Sequence, residues 1–479
     1  MSDPLSVLEP ALLWERFSEL TRIARPPKEE AAAREHVLAW AAARSLESAV
    51  DDEGNVVVRF PASRGREDAP VVVLQAHLDM VCERDPTSPF DPREGRIDVR
   101  VDGDWVRANG TTLGADNGIG VAAALAVADD PAVEHGPLEL LFTVSEEQGL
   151  DGAKAVDPTL VKGRLLLNLD GTSDGALTIG SAGSDHTHLR LPLHPEPASP
   201  DQVARRVEVS GAKGGHSGGD IALGRANAIK ALGRVLASAP VRLGVIEGGV
   251  SRNALPRAAH AVVAMDAASE EGTCAAMASE LAAIVREYEG TDDGLVLTVE
   301  PAELGAFASA ETSRRVLDLL NSIPSGVLAV NPSLREPVQT STSLTTATTN
   351  EGVLTLGSMT RSSSAAALDG VLETMHALAR LADAEIDVRR SYPPWEPDLG
   401  SELLVTARQA QRRLFGSDPT LVVVHGGLEC AVLGERLPGV QMLSIGPEMV
   451  DLHAPGERVR ISSTQRFYRL LGSLLDDLS

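Results

Sequence analysis

Val71-Val-Val-Leu-Gln-Ala-His-Leu-Asp79 is the run from which the architecture can be read. Four apolar residues in succession, three of them β-branched, predict a strand buried on both faces. The run closes on His77 and Asp79. Ligands in open α/β sheets gather at the carboxyl ends of strands. An imidazole and a carboxylate two residues apart suit a metal, one ligating and the other orienting it. Taken alone, a polar pair that simply caps a strand is the commoner explanation, so the choice falls to the rest of the chain.

Two further apolar runs end in the same way. Leu138 to Val144 leads into Ser145-Glu146-Glu147, and Arg164 to Leu169 leads into Asp170. Glu146 and Glu147 are adjacent and would point to opposite sides of an extended chain, so a turn is required after Val144. Thr111-Thr-Leu-Gly-Ala-Asp-Asn-Gly118 precedes an Ala-rich helix predicted over Ile119 to Ala128, which puts Asp116 at or just before a helix N-terminus. That segment by itself favours an N-cap, a position Asp prefers; the alternative is a ligand held in a Gly-flanked loop.

The apolar spacing predicts amphipathic helices over residues 6–24 and 29–44, parted by Pro26-Pro27, then a strand from Val56 to Phe60. Residues 82–110 read as loop or short edge strands. Strand and helix alternate through this half, which points to an α/β sheet with helices on its faces. Pro192, Pro195, Pro197 and Pro200 form a linker signal, and Pro393, Pro394 and Pro397 form a second. Between them the pattern becomes that of an α+β domain. Beyond the second, helix and strand alternate again, with His453 following the strand Gln441 to Ile445. One domain, residues 191–394, is therefore expected to be inserted into another made of 1–190 and 395–479.

Composition narrows the function. The chain has 479 residues, of which 43% are hydrophobic, enough for a large core. Its formal charge of −25 argues against nucleic acid or an anionic membrane as partner. No apolar run reaches the roughly 18 residues of a membrane span, and the start of the chain lacks the order of a signal peptide. Three scattered cysteines form neither a disulfide framework nor a metal knuckle, the pattern of a reduced, cytoplasmic protein.

The polar residues at the expected strand ends are His77, Asp79, Asp116, Glu146, Glu147, Asp170 and His453. Five carboxylates gathered at one sheet edge would repel and raise one another's pKa. Two divalent cations relieve this. Three ligating carboxylates leave one positive charge, which a bridging hydroxide cancels, with Asp79 and Glu146 outside the ligand set. Imidazole and carboxylate donors suit zinc, with manganese or cobalt as substitutes.

His77-Leu-Asp-Met80, Gly114-Ala-Asp-Asn-Gly118, Ser145-Glu-Glu147 and Asn168-Leu-Asp170 resemble the M20 (aminoacylase/carboxypeptidase-like) metallopeptidases. Gln75 to Val81, Gly211-Ala-Lys-Gly-Gly-His-Ser-Gly218, His425-Gly-Gly-Leu-Glu-Cys430 and Ser444-Ile-Gly-Pro447 with His453 resemble the aminoacyl-histidine (Xaa-His) dipeptidase branch. The likeness spans nearly the whole chain in order. It implies a mixed central sheet flanked by helices, an inserted lid and dimerisation domain, and a homodimer acting on dipeptides. His77 and Asp170 would hold one metal, Glu147 and His453 the other, and Asp116 would bridge them. Asp79 would orient His77, and Glu146 would be the general base. His216 resembles the lid histidine that assists the oxyanion, and Asn253 and Arg361 resemble residues that bind the substrate backbone and carboxylate. Ala454 departs from the family, which often has Ser after the histidine and an acidic residue soon after.

Glu429 is open between a group beside the metals and a structural one. Cys82 and Cys430 are expected to be buried, inert thiols; His186, His188 and His194 to be surface groups; and the tract Thr340 to Thr349 to be an exposed or edge strand. A dipeptidase is the leading function. The alternatives are an M20-type amidohydrolase or carboxypeptidase acting on N-acyl amino acids, which shares the metal site, and a non-catalytic binding protein, which should have lost a ligand or the base.

Overall fold

In the computed structural model, which describes residues 3–332, 334 and 338–479, the opening run forms the strand Val72–His77 with every residue buried. Burial of each of Val72, Val73 and Leu74 contributes roughly 1.5–3 kcal/mol. The strand lies inside an eight-stranded sheet ordered Glu47–Val50, Val56–Phe60, Leu138–Thr143, Val72–His77, Leu165–Asn168, Gln441–Ser444, Ala176–Ser181, Thr420–Val424. The sheet is mixed. Its first two pairings are antiparallel, whereas the four strands from Leu138–Thr143 to Gln441–Ser444 run parallel. His77 lies opposite Thr143, and Asn168 opposite both Gln75 and Ser444. Four carboxyl ends therefore meet at one edge, where the acidic residues follow.

Helices cover the sheet. Ala115–Asp129 packs on Val72–His77 and receives Ala11–Leu20, whose Leu13, Trp14, Phe17 and Leu20 form a buried face. The first helix is shorter than its apolar spacing suggested, because Pro10 occupies its N-cap and the chain leaves the helix after Leu20. The Ala-rich helix instead begins earlier, at Ala115, with non-helical dihedrals at Asp116 and Asn117.

The described residues fall into two compact units. One holds the chain up to Ser181 with Trp395–Val424 and Leu428–Ser479; the other holds Ala182–Pro394 with His425–Gly427. The chain enters the second unit before the prolines at 192–200, because Gly183–Pro192 is a strand bonded to Val353–Ser362 on one side and Glu385–Tyr392 on the other. In this unit a large sheet and the helices Ala228–Ala237, Glu270–Glu287, Ala310–Ser322 and Ala365–Ala382 share one apolar core.

Two expectations fail here. The Ser/Thr tract is not an exposed or edge strand: Val338–Asn350 lies inside the sheet, and Thr340 to Thr345 are buried. Its hydroxyls find partners across the sheet, Thr340 with Ser362 and Thr342 with Thr360, each at 2.9 Å, and Thr345 with the Gly357 carbonyl at 3.1 Å. Hydroxyl pairs of this kind make a polar strand tolerable in an interior. Nor is His186 a surface group. It is buried, edge-to-face with His188 at 4.2 Å between ring centres, on a strand paired on both sides.

Candidate metal centre

Each candidate ligand is held by a different device. His77 is the last residue of its strand, and Asp79 follows two residues on. After Leu138–Thr143 the chain turns at Ser145, whose φ of 51° supplies the kink that adjacent glutamates require. Asp79 fixes this turn, Oδ1 accepting the Glu146 N–H and Oδ2 the Glu147 N–H, each at 3.0 Å. Glu30 Oε1 accepts the Ser145 N–H at 2.9 Å. Asp170 leaves its strand beside Gly446, where a Cβ would fall 1.8 Å from the Gly171 carbonyl oxygen, so two loops meet only because both residues are glycine.

The side chains then converge. His77 Nε2 lies 3.0 Å from Asp116 Oδ1 and 3.7 Å from Asp170 Oδ1, and His77 Nδ1 lies 3.3 Å from Asp79 Oδ1. His453 Nε2 lies 3.3 Å from Asp116 Oδ2 and 3.0 Å from Glu147 Oε2. The two oxygens of Asp116 thus face two different imidazoles. Asp116 is no N-cap: the cap position belongs to Gly114 and carries no side-chain bond. The local preference loses because the carboxylate turns toward histidines from distant parts of the chain.

Three sets have donor atoms within 4.8 Å of one another, as one ion needs: His77 with Asp116 and Asp170; His77 with Glu146 and Glu147; Asp116 with Glu147 and His453. Edges between ligands of a four-coordinate zinc, with bonds of about 2.0–2.2 Å, are about 3.3–3.6 Å long, and the imidazole–carboxylate spacings bracket that value. Glu147 Oε1 is buried with no hydrogen-bond partner among the described residues, a free donor atom at the same place. The residues fit a pair of divalent ions. His77 is 1% exposed and His453 49%, so one position is enclosed and the other opens to solvent.

Electrostatics show the strain of the cluster. Burial raises the Asp170 carboxyl to about 6, with the Asp116 charge adding to it. Burial likewise raises Glu146 well above the carboxylate range. Hydrogen bonds to Asp116 and Glu147 raise His453 to about 10. Burial works against the charge on His77, but Asp116, Asp170 and Asp79 outweigh it and raise that imidazole too. Imidazolium charges here balance carboxylates, a task that bound cations would take over.

The remaining predicted residues lie in the second unit. Arg361 donates from Nη1 to the Tyr392 hydroxyl at 3.0 Å and from Nη2 to Asn253 Oδ1 at 3.4 Å. Gly215–His216 pairs with Ala254–Leu255, and the His216 Nδ1 accepts the N–H groups of Gly218 and Gly219. Among the described residues no hydrogen bond reaches its Nε2. Burial, then the Arg361 charge, lowers the His216 pKa.

Glu429 proves to be a fully buried carboxyl, bonded by Thr143 at 2.9 Å and by Gln75, and raised by burial to about 7. Cys82 and Cys430 are buried and unpaired, and burial raises both thiols. Sequence reasoning missed Arg25, Glu30 and Glu457, which hold the ligand loops through backbone groups. Only Glu457, four residues after His453, left a trace in the sequence.

The profile of the peptidase family M20/M25/M40 matches residues 73–477. The cytosol non-specific dipeptidase of Escherichia coli is 35% identical over 480 aligned residues, 99% of each chain. The crystal structure of aminoacylhistidine dipeptidase from Vibrio alginolyticus superposes with a TM-score of 0.92 at 34% identity, covering 99% of this chain and 98% of that one. Aminopeptidase PepT from Bacillus cereus shares the fold at 15% identity, with a TM-score of 0.58 and coverage of 98% and 99%. By sequence along its whole length and by fold, the chain belongs to peptidase family M20/M25/M40 and is a hydrolase of peptide bonds.

Proposed function

We propose that the protein is a two-metal dipeptidase that cuts unblocked dipeptides, Xaa-His among them. The observation that carries this is Asp116, whose two oxygens each face a separate imidazole, one set beside Asp170 and the other beside Glu147. The names of the two full-length relatives, a non-specific dipeptidase and an aminoacylhistidine dipeptidase, support the substrate class.

His77 and Asp170 are assigned to one ion, Glu147 and His453 to the other, and Asp116 to both. The donor set favours zinc, with manganese or cobalt as substitutes. Divalent ions there supply Lewis acidity and make water a better nucleophile at neutral pH. Asp79 keeps the His77 ring in register. Glu146 takes a proton from the attacking water and returns it to the departing amine. Arg361 pairs with the carboxylate of the dipeptide, Asn253 with its backbone, and His216 with the developing oxyanion.

Work in the cytoplasm agrees with the free thiols and with a relative named for the cytosol; no helix among the described residues is long and apolar enough to cross a membrane. A homodimer through the inserted domain completes the reading, and sedimentation of the purified protein checks it. The central test compares metal-loaded protein on β-alanyl-histidine and other Xaa-His dipeptides with its action on N-acyl amino acids. Faster cleavage of the dipeptides is expected. A preference for N-acyl amino acids would replace the dipeptidase with an amidohydrolase.

A further inference from the structure

Two charged side chains that take no part in the chemistry above reach residues 113–116 from opposite ends of the chain. Glu457 is 2% exposed, and its carboxylate accepts four backbone N–H groups. Oε2 takes those of Leu113 at 2.8 Å and Gly114 at 3.0 Å; Oε1 takes those of Ala115 at 2.7 Å and Asp116 at 3.3 Å. Arg25, 1% exposed, donates from Nη1 to the carbonyls of Leu78 at 3.0 Å and Asp79 at 2.9 Å, and from Nη2 to that of Gly114 at 2.6 Å. Its own carbonyl accepts the Met80 N–H at 3.0 Å.

Gly114 is gripped from both sides, its N–H by an anion and its C=O by a cation. It has a φ of 71°, and a Cβ there would fall 2.6 Å from Arg25 Nη2, so no side chain fits. Charges this deeply buried are costly unless fully hydrogen-bonded. Here their partners are the backbones of the loops that carry ligands. The 77–80 segment carries His77, the 113–116 segment carries Asp116, and Glu457 itself follows His453 by four residues. Bonds from a rigid buried group to loop backbone fix loop position as well as stability, which is what a ligand set of defined geometry needs.

We propose that Arg25 and Glu457 are positioning residues that hold the His77, Asp116 and His453 segments in mutual register, so that the two ion positions form together. This rests on the two-metal reading above. Asp116 belongs to both positions, so a shift of residues 113–116 disturbs both at once.

The test is a Co2+ titration of metal-free wild-type, E457Q and R25K proteins, followed by visible absorption, with circular dichroism to establish folding. E457Q sets an NH2 group against backbone N–H groups and leaves two of the four amides without an acceptor. R25K keeps the charge but loses the planar fork that spans two loops. Wild type is expected to bind two ions. Both folded variants are expected to lose about 10- to 100-fold in affinity at both steps and to show an altered Co2+ band. Wild-type affinity and band shape in the variants, or weakening of one step alone, would overturn the proposal. If E457Q does not fold, R25K decides by the same criteria. Failure of wild type to bind Co2+ would instead remove the two-metal reading itself.

Discussion

Asp79 accepts the backbone N–H of Glu147 at 3.0 Å while its other oxygen faces Nδ1 of His77 at 3.3 Å. One carboxylate therefore lies against an imidazole and fixes the turn that presents Glu146 and Glu147. Asp79→Asn keeps the volume but sets an NH2 group against one of the partners it now accepts from. A fall in metal affinity of about 10- to 100-fold is expected, read by competition with a chromophoric chelator. Unchanged affinity would show that the His77 ring holds its place without this partner.

Glu146→Gln keeps shape and removes basicity. Turnover of a dipeptide is expected to fall by at least about 100-fold, with two ions per chain still present by elemental analysis. Near-normal turnover would take the proton-transfer role away from Glu146.

Arg361, proposed above to pair with the carboxylate of the dipeptide, is anchored by the Tyr392 hydroxyl at 3.0 Å. Arg361→Lys is expected to raise KM for dipeptides about tenfold or more, as loss of a hydrogen bond to a charged group requires, with a smaller change in kcat. Dipeptide amides, which lack the carboxylate, should be handled equally by both proteins. Equal KM values for free dipeptides would leave Arg361 a structural residue.

His186 supplies a pH dependence away from the metals. Burial first, then His188, Arg252 and Arg389, lower its pKa to about 4, with Asp387 opposing. The unfolded chain has the ordinary value of about 6.5 and takes up the proton first as pH falls. Stability held above pH 6.5 should therefore be lost progressively between that pH and about 4. Urea midpoints of wild type and His186→Gln across this range provide the check. Parallel curves would mean that His186 does not contribute.

The strand ends were legible because apolar runs and the polar residues that follow them are adjacent in sequence. Val72–His77 and Leu138–Thr143 show this, and Ser145 supplies the turn that Glu146 and Glu147 demand. Asp116 was harder. Its neighbours describe a helix start, while the histidine that claims its second oxygen lies more than 300 residues away. The buried Ser/Thr strand was misread because cross-strand hydroxyl pairs have no local signature, and His186 because its strand is paired on both sides with strands far along the chain. Arg25 binds backbone atoms, which every residue has, so no pattern of residue types marks it, and Glu457 left only its place four residues after His453.

The sharpest measurement is calorimetric titration of metal-free protein with Zn2+, for wild type and Asp116→Ala. If Asp116 joins two ions, wild type takes up two per chain and the variant is weakened for both. Uptake of fewer than two ions by wild type, or full uptake with unchanged affinity by Asp116→Ala, would contradict a shared two-ion centre.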